Sequence, residues 1–93
     1  MIERESGRLI VKVPMVIAHA RGLLDAGRSA LQPGEQVFDF SEVSEADSSA
    51  LAVMLGWLRA ASLSGATVKF VHIPAGVVAL AELYGLAELL PLA

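Results

Sequence analysis

Residues Ala50–Ala61 read ALAVMLGWLRAA, and among these twelve positions only Arg59 is charged. Asp47-Ser48-Ser49 stands directly before the run and is a strong helix-start signal. The pattern predicts a helix from about Ser48 to Ser64, stopped by Gly65. A helix resting on a sheet needs one apolar stripe, whereas this one is apolar nearly all the way round, so its outer side requires a cover. At about 100° per residue, Leu51, Met54, Leu55, Leu58 and Ser62 fall on one side, which is assigned to the sheet. The opposite side carries Ser49, Val53, Gly56, Trp57, Ala60 and Ser64, with Ala52 and Ala61 flanking. Its small residues suit the close approach of another helix, and Trp57 is the expected anchor for a protein partner. The competing expectation is that the C-terminal segment of the chain folds over this side.

The flanking segments supply a sheet. Ile2–Glu5 is a short strand, Ser6-Gly7 a turn, and Arg8–Val13 (RLIVKV) a strand with at least one buried face. Pro14 ends that strand and suits the first position of a helix. Val16, Ala20, Leu23, Leu24, Gly27 and Leu31 recur at steps of three and four, so Met15–Leu31 is expected to be an amphipathic helix. Gly22 and Gly27 each weaken it by up to roughly 1 kcal/mol. Pro33-Gly34 turns the chain into a strand at Gln36–Phe40, and Ser41–Ala46 is a polar loop. After the apolar helix come a strand at Thr67–His72, a third helix from Pro74 through Tyr84, and a last apolar turn at Leu86–Leu90. The order β-β-α-β-α-β-α contains two crossovers long enough for parallel pairing. The expected fold is α/β: one domain over residues 1–93, a mixed sheet of about four strands, and helices packed mainly on one face.

Composition narrows the function. Fifty-five per cent of residues are hydrophobic before the eight glycines are counted, against ~45–50% with glycine included in an ordinary domain. That is too apolar for disorder. The longest apolar run is well short of the ~20 residues of a membrane span. The N-terminal MIERESGR has charges where a signal peptide would carry its apolar core, and the chain has no cysteine, so a cytoplasmic location is expected. A net charge of −3 with scattered basic residues argues against nucleic acid as a partner.

No enzyme motif is present. His19 and His72 lie on different elements without metal-ligand spacing, and no phosphate loop, dinucleotide fingerprint or nucleophile elbow occurs. The carboxylates Glu42, Glu45 and Asp47 share one loop but lack calcium-loop spacing, so a solvated loop with a helix cap is expected, with no metal and no cofactor. Asp47 or Ser48 is placed to accept hydrogen bonds from the open first turn of the apolar helix. A second frame, Ser44-Glu45-Ala46-Asp47, fits a capping box and would start the helix three residues earlier. Ser48 would also present an oriented hydroxyl in the positive end-field of that helix, a setting that tolerates phosphate.

Three stretches, VFDFSEVSEADSSALAVMLGWLRAA, VKFVHIP and ALAELYGLAELL, together resemble the STAS domain family, and within it the MlaB-like branch of the Mla phospholipid-transport ABC complex. They cover about half the chain, 44 of its 93 residues; the first 31 residues match in outline only. The resemblance implies a non-enzymatic accessory subunit that binds the transporter's cytoplasmic ATPase, through Ser48 and the helix it begins. It would reach the inner membrane only through that complex. In the related anti-anti-sigma factors and stressosome proteins, the position of Ser48 is the residue phosphorylated by a partner kinase. Ala50 stands where many anti-anti-sigma factors have glycine, and Lys12-Val13-Pro14 replaces a glycine common near the end of the early strand. Trp57-Leu58-Arg59 suits the MlaB-like helix better than the more polar continuation of sigma-factor regulators.

Two readings follow, with a third behind them. The first is an ATPase-docking subunit whose contact is Ser48, Ser49, Ala52, Val53, Gly56, Trp57 and Ala60, with Asp47 as helix cap. The second is an anti-sigma factor antagonist switched by phosphorylation of Ser48. A lipid-binding module is the third, since surplus apolar surface could hold an acyl chain, although no headgroup constellation stands out.

Overall fold

The computed structural model describes residues 1–91. Its elements are β1 (Ile2–Glu5), β2 (Arg8–Val11), α1 (Ile17–Ala30), β3 (Gly34–Asp39), α2 (Ser49–Ser64), β4 (Ala66–Val71), α3 (Ala75–Leu83) and a 3-10 turn, Ala87–Leu89. The four strands form one sheet in the order β1-β2-β3-β4. The first pair is antiparallel, as a short turn dictates, and the other two pairs are parallel, as helical crossovers dictate. This is the mixed α/β sheet the sequence implies. The last strand is closed on its outer side near its end, where Phe70 N–H donates to the Pro91 carbonyl at 3.0 Å.

Alternation along the strands sends Leu9 and Val11, Phe38 and Phe40, and Val68 and Phe70 to one face, where all six are buried. The other face carries Arg8, whose guanidinium pairs with Asp39 at 3.2 Å, and the Lys69–Glu35 pair at 3.4 Å. Helices α1 and α2 lie in contact on the apolar face, and α3 packs against α2. Every buried side-chain nitrogen and oxygen among the described residues has a hydrogen-bond partner.

Trp57 sits in the middle of this arrangement and is fully buried. Its ring stacks on Phe38 with centroids 4.3 Å apart and 9° between planes, and lies 6.3 Å from Phe40. Phe70 tilts against both phenyl rings at 5.9 and 5.6 Å. The indole Nε1–H donates to the Leu23 carbonyl of α1 at 3.1 Å, which satisfies the polar atom that burial would otherwise penalise. Glycine at position 27 makes this possible, because a Cβ there would overlap the indole. Gly56 of α2 has the reciprocal role, since a Cβ there would run into the Leu24 side chain.

The face assigned to a partner is therefore corrected. Val53 and Trp57 are buried, together with Ala50, Leu51, Met54 and Ala61. The true buried arc is turned by roughly a quarter of a helical turn from the expected one, given ~3.6 residues per turn. Small residues do admit a neighbouring helix, but that helix is the chain's own α1, whose Leu23 carbonyl and Gly27 meet the Trp57 indole. Ser62, placed against the sheet, is exposed, and Leu55 and Leu58 are half-buried. The surface stripe of α2 is Ser48, Ala52, Arg59, Ser62 and Leu63.

Element ends also shift. Met15 does not enter α1: it forms a parallel bridge to Ala46, with Met15 N–H on Glu45 O at 2.9 Å and Asp47 N–H on Met15 O at 3.1 Å. The helix therefore begins at Ile17, and Pro14 lies outside it. Pro74 likewise precedes α3 and accepts from the Val77 and Val78 amides at 2.9 and 3.2 Å.

Trp57→Ala should cost about 3–5 kcal/mol of unfolding free energy, and Gly27→Ala about 1–3 kcal/mol through overpacking. Urea denaturation of the two variants measures both; a Gly27→Ala protein as stable as the parent would contradict the indole contact.

Candidate functional site

The loop from Ser41 to Ser48 connects the end of β3 to the start of α2, and its last two residues make the site. Asp47 is hydrogen-bonded to two helices at once. Its Oδ1 accepts the Ser49 amide at 2.9 Å and the Ser49 hydroxyl, while its Oδ2 accepts the Ile17 amide of α1 at 3.0 Å. Neither helix has a side-chain bond from the residue immediately before it, Val16 or Ser48. One carboxylate therefore satisfies first-turn donors of both helices, and its negative charge complements both positive ends. The capping-box frame is not adopted, because α2 starts at Ser49 and Ser44 is exposed in the loop.

The Ser48 backbone is already helical, at φ −62° and ψ −19°, and the first turn is tight: Ala50 N–H bonds Asp47 O at 3.0 Å and Leu51 N–H bonds Ser48 O at 3.2 Å. Ser48 is exposed, and its side chain makes no capping bond, so its hydroxyl faces outward from a fixed turn. Ser49 is half-buried, with its hydroxyl committed to Asp47. Ala52, one turn on, is exposed; Gly56 and Ala60 are half-buried. Of the seven residues expected to touch a partner, Ser48 and Ala52 stand on the open surface, while Val53 and Trp57 are interior. Ile17, which no sequence signal singled out, is 74% exposed and belongs to the same end of the domain, because Asp47 touches its amide.

The loop carboxylates do not converge. Glu42 pairs with Lys12 at 3.0 Å, and Lys12 also binds Glu5 at 2.9 Å; these two carboxylates hold the Lys12 ammonium well above its ordinary pKa. Glu45 is exposed. Burial pushes the Asp39 carboxyl up, but the Ser41 amide and hydroxyl and the Arg8 guanidinium together hold it below its ordinary 3.8. Asp47 is also held below 3.8, first by the Ser49 hydroxyl, then by the Ile17 and Ser49 amides. His72 is exposed, and the half-buried His19 ring bonds the Pro14 carbonyl through Nδ1 at 2.8 Å. Neither imidazole meets a serine hydroxyl among the described residues.

A four-stranded mixed sheet with two parallel crossovers and a capped serine at the head of the second crossover helix defines a small α/β domain of one recognisable type. A family model described as "Mlab, STAS domain" matches residues 2–91. The chain belongs to the STAS domain family. Among solved structures it is similar to a putative anti-sigma factor antagonist from Thermotoga maritima, at TM-score 0.75 and 17% identity, covering 99% of this chain and 83% of that one. At that identity the likeness speaks for the fold. No curated protein sequence matches the chain significantly.

Because Asp47 and Asp39 have depressed pKa values when folded, each contributes stability that is present above about 3.8 and is lost as pH falls through the lower folded value. Asp47→Asn should be less stable than the parent at neutral pH, and the gap between their melting temperatures should narrow on acidification below pH 4. Thermal melts from pH 7 to pH 3 measure this; a pH-independent gap would contradict the charge-assisted capping.

Proposed function

We propose that this protein is a non-enzymatic accessory subunit that docks on the cytoplasmic ATPase of an Mla-type ABC phospholipid transporter. It would serve the maintenance of outer-membrane lipid asymmetry from the cytoplasmic side of the inner membrane. The observation that carries the reading is the exposed Ser48 hydroxyl on a turn held rigid by Asp47, in a chain whose family model bears the MlaB description. The docking surface is the Ser48 end with Ala52 on α2; Val53 and Trp57 support it from inside. Docking would stabilise the ATPase and shift its population toward an assembly- or turnover-competent state. In a pull-down with the cognate ATPase, Ser48→Asp and Ala52→Arg should each abolish retention, and Ser48→Ala should preserve it. Full retention in both disruptive variants would sink the assignment.

The second reading, an anti-sigma factor antagonist, is favoured by the fold likeness to the Thermotoga maritima protein and by the same free hydroxyl. A phosphate on Ser48 would add about −1.5 to −2 charges beside Asp47 and Glu45 and repel an acidic or desolvated partner surface. A serine kinase encoded beside the gene should then produce a single phosphate mass shift that Ser48→Ala removes. If the neighbouring genes encode transporter subunits and Ser48 is not modified, this reading fails.

A further inference from the structure

Charge is distributed unevenly along the chain. Beyond His72 there is no Lys, Arg or His, and the charged side chains of that stretch are Glu82 and Glu88. Elsewhere carboxylates are mostly neutralised: Glu5 and Glu42 by Lys12, Asp25 by Arg21 and Arg28, Glu35 by Lys69, Asp39 by Arg8, and Asp47 by two helix starts. Glu82 and Glu88 have no ion pair among the described residues, and both line one cleft of about 410 Å³ with Gly85 and Ala87. The cleft lies at the carboxyl end of α3, the negative end of the helix dipole.

Around the same corner stand Leu83, Tyr84 and Leu89, which are 75%, 57% and 62% exposed. They are held there by structure. Gly85, at φ 71°, closes α3 in a Schellman motif, with Leu86 N–H on Ala81 O at 2.7 Å and Gly85 N–H on Glu82 O at 3.1 Å. Leu90 is buried, and Pro91 is tied to β4. The turn thus spends its anchoring residues on the core and presents three large apolar side chains outward beside two uncompensated carboxylates.

We propose that this α3–3-10 corner is a second docking surface, and that it takes a partner-protein segment in which Lys or Arg stands next to aliphatic residues. The cation would sit in the Glu82–Glu88 cleft and the aliphatic side chains on Leu83, Tyr84 and Leu89. Opposite charge steers such a segment to the corner, and burial of the three apolar side chains holds it there. The proposal goes beyond the Ser48 reading and does not depend on it.

The full protein, titrated with a synthetic amphipathic Leu/Lys peptide and followed by amide-detected NMR, tests this. Shifts should centre on residues from Glu82 to Leu89, and the Leu/Glu counterpart should give none. The pair Glu82→Gln and Glu88→Gln should weaken binding about fivefold, as expected when two exposed ion pairs are lost. Leu83→Ser with Leu89→Ser, both on exposed positions, should remove binding with the fold intact, and Ser48→Asp should leave it unchanged. Shifts centred elsewhere, equal binding of the Leu/Glu peptide, undiminished affinity in the double Gln variant, or binding retained by the double Ser variant would overturn the proposal. So would self-association of the free protein through this corner, which would make a second copy the occupant.

Discussion

The contact between the Trp57 indole and the Leu23 carbonyl, made across Gly27, is the constraint from which the rest of the molecule takes its shape. It joins all three parts of the layer: the ring lies flat on Phe38 of the sheet, belongs to α2, and is bonded to α1. A flat stack fixes the height of α2 above β3, and the single N–H fixes the position of α1 along it. Neither helix can slide without breaking the stack, the hydrogen bond or the fit at Gly27. The conformational cost of two glycines in α1 is thereby partly explained, since one of them is the space the indole occupies.

The same pair of helices is tied again at their starts by Asp47. The two ties act at different distances along the helices, so together they fix both separation and register. Position 47 owes its low pKa to this geometry: three donors converge on a carboxylate that remains near solvent, and each of them favours the ionised form. Ser48 follows in sequence and receives none of those bonds, which is why its hydroxyl stays free while the turn beneath it is held.

Which parts of this were legible in the sequence depends on whether the cause is local. Strand and helix order follows from Pro14, Pro33-Gly34, Gly65 and Pro74, and from alternation that a single strand displays by itself, so the α/β sheet could be read directly. Ser48 and Asp47 were recognisable because helix starts carry local side-chain signals. The start of α1 was not, because Met15 is captured by Ala46, thirty-one residues away, and Ile17 is capped by Asp47 at a similar separation. The buried side of α2 was misread for a different reason. A helix apolar on every side has no direction of its own, and Trp is both a large core residue and a common interface anchor. Only the position of α1 separates the two roles.

Burial of Trp57 changes which surface α2 presents to solvent. With the large aromatic surface consumed internally, no broad apolar face of α2 remains to be covered, and its outer stripe is Ser48, Ala52, Arg59, Ser62 and Leu63. A partner at the Ser48 end would then meet small and polar groups with Ile17 as the sizeable apolar element, so binding there must rely on fit and charge more than on area. Such a contact would be sensitive to one added phosphate or carboxylate, because docking would desolvate polar groups on a turn that the Asp47 bonds hold in place. The two ties are therefore complementary: the Trp57 contacts hold α1 and α2 on the sheet, and the Asp47 bonds hold the turn from which the Ser48 hydroxyl projects.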